Sequence, residues 1–205
     1  MIDYPKIIPV FPLSGVIYFP QTNLPLNVFE QRYLNLVNDA YKKDKLMGMV
    51  QSKGNNDTVY EVGCLGKIND YQKSKDGRIL INLTGITRFK IIEEKLNDKL
   101  YREFSVNYKS FENDLIKESH QISTLTLIEK AKTFFKRSGL LLNWKEFDKL
   151  DQNQKINTLA MIAPVTNEEK QKILEAISIK DKISTLNEII EFYLHEVNFD
   201  NQTIQ

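Results

Sequence analysis

Two short clusters in this chain set charged side chains beside aromatic rings: Phe29-Glu30-x-Arg32-Tyr33 and Arg88-Phe89. A guanidinium can hold a carboxylate through two parallel N–H donors, and aromatic faces can line a groove for extended peptide. These six residues are the candidates for a recognition surface. A packing role competes with that reading, in which Phe29, Tyr33 and Phe89 fill a core while Glu30 or Asp76 pairs an arginine across it. Loose capture of unfolded chain would use exposed apolar groups. Leu46, Met47 and Met49, and Leu140-Leu141-Leu142 with Trp144 and Phe147, are candidates for that role against ordinary burial.

Catalytic chemistry finds less support. Gly54 and Gly77 sit in polar turns without the Gly-Lys-Ser/Thr ending of a phosphate-binding loop. Ser52-Lys53 and Ser74-Lys75 are neighbours in turns, which does not activate a nucleophile. His120 and His195 are the only histidines and fall on different expected helices, with no ligand at i+4. Cys64 stands alone, so neither an intrachain disulfide nor a four-cysteine zinc site can form. Glu168-Glu169 suits a helix N-terminus, and Glu93-Glu94 flanks a strand end. The sequence therefore leads to an expectation of no catalytic residue, no cofactor and no metal.

The elements that must position the candidates are legible in outline. Pro9, Pro12, Pro20 and Pro25 cut the opening apolar runs, which predicts short edge or bulged strands. Helical spacing follows, with Tyr33, Leu34, Leu36, Val37, Ala40 and Tyr41 on one stripe of a helix near 30–42. Leu46–Gln51 reads as a strand, and polar residues 52–58 read as a turn. Asp76-Gly77 marks a hairpin into a β-rich run from Arg78. Gly85 within that run predicts a bulge or a close backbone approach. Asn97-Asp98-Lys99 turns the chain into a strand over 101–108.

Several strands with one helix predict a sheet that closes or curves strongly, because closure removes exposed edges. From about residue 112 the period becomes 3.6. One helix carries Ile122, Leu125, Ile128 or Glu129, and Phe135 and ends near Gly139. Asn143-x-x-Glu146, Asp151-x-x-Gln154 and Thr166-x-x-Glu169 resemble capping boxes. The last of these opens a helix through Lys170, Ile173, Leu174 and Ile177. Ile183, Leu186, Ile190 and Leu194 mark a final helix, and the tail from Phe199 is expected to fray. The expected boundary lies at 109–114, dividing the chain into a β part over 1–111 and a helical bundle over 112–205. The fold class is α+β.

With 205 residues, 41% of them hydrophobic, the chain can bury a core without disulfides. Lys and Arg number 28 against 27 Asp and Glu, a net charge of +1 that argues against nucleic acid or anionic lipid as the main partner. The start resembles no secretory signal, and no apolar run approaches the roughly 18 residues that would span a bilayer. The expectation is a cytoplasmic protein.

The ordered set of segments resembles one family, the amino-terminal substrate-binding domain of Lon protease and its standalone relatives. Pro9-Val-Phe-Pro-Leu13, Phe19-Pro20, Pro25-Leu26 and Phe29-Glu-x-Arg-Tyr33 resemble the family's opening. Gly63-Cys-Leu-Gly-Lys-Ile68 resembles its central strand, although the family usually has a small residue or Thr where Cys64 stands. Asp76-Gly-Arg78 with Leu83-Thr-Gly-Ile-Thr-Arg-Phe89 resembles its hairpin, and Ala163-Pro-Val-Thr-Asn-Glu-Glu-Lys-Gln-Lys-Ile-Leu-Glu175 its late helical segment.

The resemblance covers roughly 7–195. It implies a pseudo-barrel similar to the PUA fold followed by a helical bundle, without the ATPase or protease domain. It implies a non-catalytic recognition module, an adaptor in protein quality control, for unfolded or degron-bearing polypeptides. A Lon-type protease and a weak homo-oligomer are the implied protein partners. The likeness to the PUA fold carries an alternative, RNA binding.

Overall fold

The computed structural model describes residues 4–54, 58–116 and 122–200, with side chains through 195. The chain divides into two compact units, 1–117 and 118–205. Part of the turn expected over 52–58 and the expected helical residue His120 lie outside the described residues.

The first unit runs β1 (Ile7–Leu13), β2 (Asn23–Val28), α1 (Gln31–Lys42), β3 (Leu46–Gln51), β4 (Val62–Lys73), β5 (Ile79–Lys95) and β6 (Arg102–Asn107). A 3-10 segment, Lys109–Leu115, follows; it covers the expected boundary and belongs to this unit. The strand order is β2-β5-β4-β3-β1-β6, and β5 also pairs with β6. That extra pairing closes five strands into a ring, with β2 hung on β5 as the edge. The 17 residues of β5 reach around the ring because bulges bend the sheet. Ile86 and Ile92 on β5 and Asn69 on β4 are the extra residues at the register shifts.

The prolines break less than their positions lead one to expect. β1 continues through Pro9 and Pro12 and is not an edge. Its partners use different halves: β6 pairs with Ile7–Val10 in antiparallel fashion, while β3 pairs with Val10–Leu13 in parallel. Only Val10 is paired in both registers. Each proline therefore lies where a strand pairs on one side, which lessens the cost of a missing N–H. Pro25 does lie on an edge strand, as expected.

Ile8, Val10, Val50, Leu65, Phe89, Phe104 and Val106 form an interior cluster. The ring of Phe89 fits there because Gly48 and Gly63 have no side chain; a Cβ on either would come within 3 Å of its Cζ. Gly85 provides both a bulge and a close approach. A Cβ there would collide with the Phe19 carbonyl, while its own N–H and C=O bond Thr22 and Gln21. Alternation along β1 sends Phe11 to the other face, where its ring stacks on Tyr33 of α1 at 3.8 Å. Tyr33, Leu36, Val37 and Ala40 are the buried stripe of α1, with Leu34 and Tyr41 half-buried at its margins.

The second unit contains α2 (Leu125–Arg137), α3 (Trp144–Asp148), α4 (Gln152–Ile162), α5 (Asn167–Glu175) and α6 (Ile179–Asp200). Helix α6 packs against α2, α4 and α5. Asp151 and Thr166 form reciprocal capping boxes with Gln154 and Glu169. Asn143 accepts from the Glu146 N–H only. Gly139 has φ +70°, the left-handed residue expected beyond a helix end. Ile122 precedes α2, and Ile177 follows α5 and is exposed. The chain restarts at Ser178, whose hydroxyl and N–H exchange hydrogen bonds with Asp181 to open α6. Among the described residues no helix is long and apolar enough to cross a membrane.

Candidate functional site

The six candidate residues separate into two environments. Arg88 and Phe89 lie inside. Arg88 is 1% exposed, and its Nε and second terminal nitrogen donate to Asp114 at 2.9 and 2.8 Å. Its backbone N–H donates to the same carboxylate, and its guanidinium lies 4.3 Å from the Phe111 ring centroid. This buried fork fastens the 3-10 segment to β5. Phe89 is fully buried. Neither residue meets a ligand from that position.

Phe29, Glu30, Arg32 and Tyr33 gather where α1 begins. Phe29 is 66% exposed. Arg32 bonds Glu30 at 3.0 Å and lies 4.5 Å from the Tyr33 ring centroid. The Tyr33 ring is buried, but its hydroxyl reaches up to donate to the Pro12 carbonyl at 3.3 Å. Glu30, Arg32 and Tyr33 form one wall of a cleft of about 320 Å³, and Leu100, Tyr101 and Arg102 form another. Arg102 is held by both oxygens of Glu94, whose pKa these hydrogen bonds lower below the ordinary carboxylate value.

Leu100 and Tyr101 also border a depression of about 560 Å³ with Asn38, Asp39, Lys42 and Lys73. Asn38 and Lys73 in turn border a third, of about 460 Å³, with Phe29, Leu34 and Arg78. The shared residues set all three side by side as an interrupted trough flanking α1. Tyrosines fix the helix within it: Tyr101 donates to Asp39 and Tyr71 to Asn38, each at 2.8 Å. Burial is the main cause that raises the Tyr101 pKa, so the phenol stays a donor. Leu100 is 62% exposed and Leu96, at the turn of the same hairpin, is wholly exposed.

The other candidates separate in the same way. Met47 and Met49 are buried and belong to the core, as does Phe147. Leu141 is fully exposed, and Leu140, Leu142 and Trp144 are half-buried. His195 is exposed beside Glu191 and Lys130 on the α2–α6 surface. Ser52 lines the first cleft; its backbone bridges to Val59 and its N–H donates to the Leu13 carbonyl. Among the described residues no group of His, Cys, Asp and Glu is placed to hold a metal ion. The sequence reading missed Leu100 and Arg102 as wall residues. The signal was an apolar residue set immediately after the polar Asn97-Asp98-Lys99 turn.

Comparison with known proteins agrees with the ordered segments. The family model described as the ATP-dependent protease La (LON) substrate-binding domain matches residues 7–191. The Lon protease of Dictyoglomus thermophilum is 25% identical over 189 residues, covering 88% of this chain and 24% of the relative. The Lon protease of Syntrophus aciditrophicus is 26% identical over 206 residues, covering 93% and 25%. The chain thus spans about a quarter of the length of the curated relatives it matches. Among solved structures, a Lon N-terminal domain protein from Xanthomonas campestris superposes with TM-score 0.64 at 20% identity, covering 91% of this chain and 98% of that one. The N-terminal domain of the Mycobacterium avium complex Lon protease gives 0.65 at 15%, with the same coverages. At those identities the structural likeness speaks to the fold alone.

Proposed function

The chain belongs to the Lon substrate-binding domain family, and from that premise we propose that it recognises polypeptide segments and performs no chemical step of its own. The observation that carries this reading is the trough around α1, where exposed Phe29 and Leu100 stand beside stacked, ion-paired arginines. Exposed apolar groups attract unfolded chain without demanding a sequence, and the arginines can exchange their carboxylate partners for those of a ligand. Phe29, Glu30, Arg32 and Tyr33 are the contact residues in this proposal; Arg88 and Phe89 keep the barrel in shape. The biological role is that of an adaptor presenting unstable polypeptides to a Lon-type protease.

Fluorescence anisotropy with a reduced, carboxymethylated protein as the permanently unfolded client tests the proposal. The intact chain is expected to bind it, and Phe29→Ser with Leu100→Ser to weaken binding about tenfold, since each removes an exposed apolar contact. Unchanged binding by the double variant would show that the client does not dock in the trough. Retention of a Lon-type protease on the immobilised chain, increased by the client, is the result expected of an adaptor.

A further inference from the structure

We infer that the trough reads the main chain of an extended polypeptide through a row of uncharged amides on α1. The inference rests on the polypeptide reading above and names the part of the polypeptide that is read. Charge singles out no ligand here: Lys99 is held by Glu103, and Lys42 and Lys73 share their depression with Asp39 and Asp98. The uncharged groups are more distinctive. Asn35 and Asn38 line that depression, and Asn38 lines the next one with Gln31. At about 3.6 residues per turn, the three fall on one face of α1, opposite its buried stripe. Asparagine is among the weaker helix formers, and a merely solvated face would be served better by Glu or Lys.

The bonds these amides make leave their remaining groups open. Gln31 donates to Asn35 Oδ1 and Tyr71 to Asn38 Oδ1, each at 2.8 Å, which orients both asparagines. An amide oxygen has two lone pairs, so each keeps an acceptor site. Neither Nδ2 has an acceptor among the described residues, and both side chains are only half-buried. A group that donates and accepts side by side matches the C=O and N–H of a peptide unit, which every sequence carries. Gln31 to Asn38 spans about 10 Å of helix, the length of about three residues of extended chain. Leu100 and Phe29 border the same depressions, so an apolar side chain buried against either anchor brings its backbone to the row. A folded segment, whose main-chain groups are already paired, gains nothing there. A nucleic acid gains no attraction for its phosphates from balanced charge.

Anisotropy titration of the full chain with two labelled, uncharged peptides tests this. One interleaves Leu with Ser and Gly. The other has the same side chains with esters in place of alternate backbone amides, which removes N–H donors and weakens the carbonyl acceptors. The ester peptide should bind about fivefold more weakly, the equivalent of one or two hydrogen bonds. Asn35→Ala should weaken binding of the amide peptide about threefold and leave the ester peptide unchanged, narrowing the gap. Its melting temperature should hold, because alanine favours helix and the lost bond to Gln31 is exposed. Asn38→Ala should narrow the gap as well, with a lower melting temperature because Tyr71 loses its acceptor. Equal binding of the two peptides, or a gap that both variants leave intact, would overturn main-chain reading by these amides and leave polypeptide recognition standing. Binding of neither peptide, or of a single-stranded RNA oligonucleotide alone, would overturn both.

Discussion

At the scale of single residues, two arginines that look alike in sequence do different work. Arg88 is interior and bidentate on Asp114, whereas Arg32 lies on the surface, its ion-pair partner half exposed. Removing one member of a buried pair strands the other charge; removing a surface partner changes little. Arg88→Ala is therefore expected to cost about 3 kcal/mol or more in denaturant unfolding, and Arg32→Ala less than about 1 kcal/mol. A loss below about 1 kcal/mol for Arg88→Ala would contradict the role given to Asp114. Glu94 offers a pH test. Its folded pKa is depressed, so its contribution is complete above the ordinary value near 4.5 and fades as pH falls through the lower folded value. Compared with Glu94→Gln, the protein should hold a few tenths of a kcal/mol of extra stability at neutral pH, a difference that closes in acid below 4.5. Asp114 itself was invisible in the sequence. It lies 26 residues beyond Arg88, and no local pattern announces a partner brought close by folding.

At the scale of elements, legibility followed local chemistry. Strand β3 occupies Leu46–Gln51 as its apolar run predicts, and the Asp76-Gly77 turn joins β4 to β5. Gly85 was recognisable as special, but only the fold shows that its space is taken by the Phe19 carbonyl. Gly85→Ala should accordingly lower stability by about 2 kcal/mol, because a backbone atom cannot yield as a side chain can; a neutral melt would contradict that contact. The continuous β1 was misread because proline is judged one residue at a time, whereas its cost depends on which side of the strand is paired. Ile177 was placed on α5 by its spacing alone. The Ser178-x-x-Asp181 signal that ends that reading was present in the sequence and outweighs one apolar residue.

At the scale of the whole molecule, the sequence carried the family and the α+β class, because the motifs occur in order across 7–191. It did not carry the proposed recognition surface. The trough is assembled from α1, the β4–β5 turn and the β5–β6 hairpin, segments that sequence distance keeps apart. Four of the six candidates border it, while Arg88 and Phe89 face inward, a division that only the fold shows. Unfolded polypeptide is proposed to dock along α1. Crosslinking mass spectrometry of the full chain with the carboxymethylated client, with and without RNase, tests it most directly. Client crosslinks are expected to concentrate at residues 29–42, 73–78 and 96–102, unchanged by RNase. Crosslinks confined to other surfaces, or lost on RNase treatment, would contradict it.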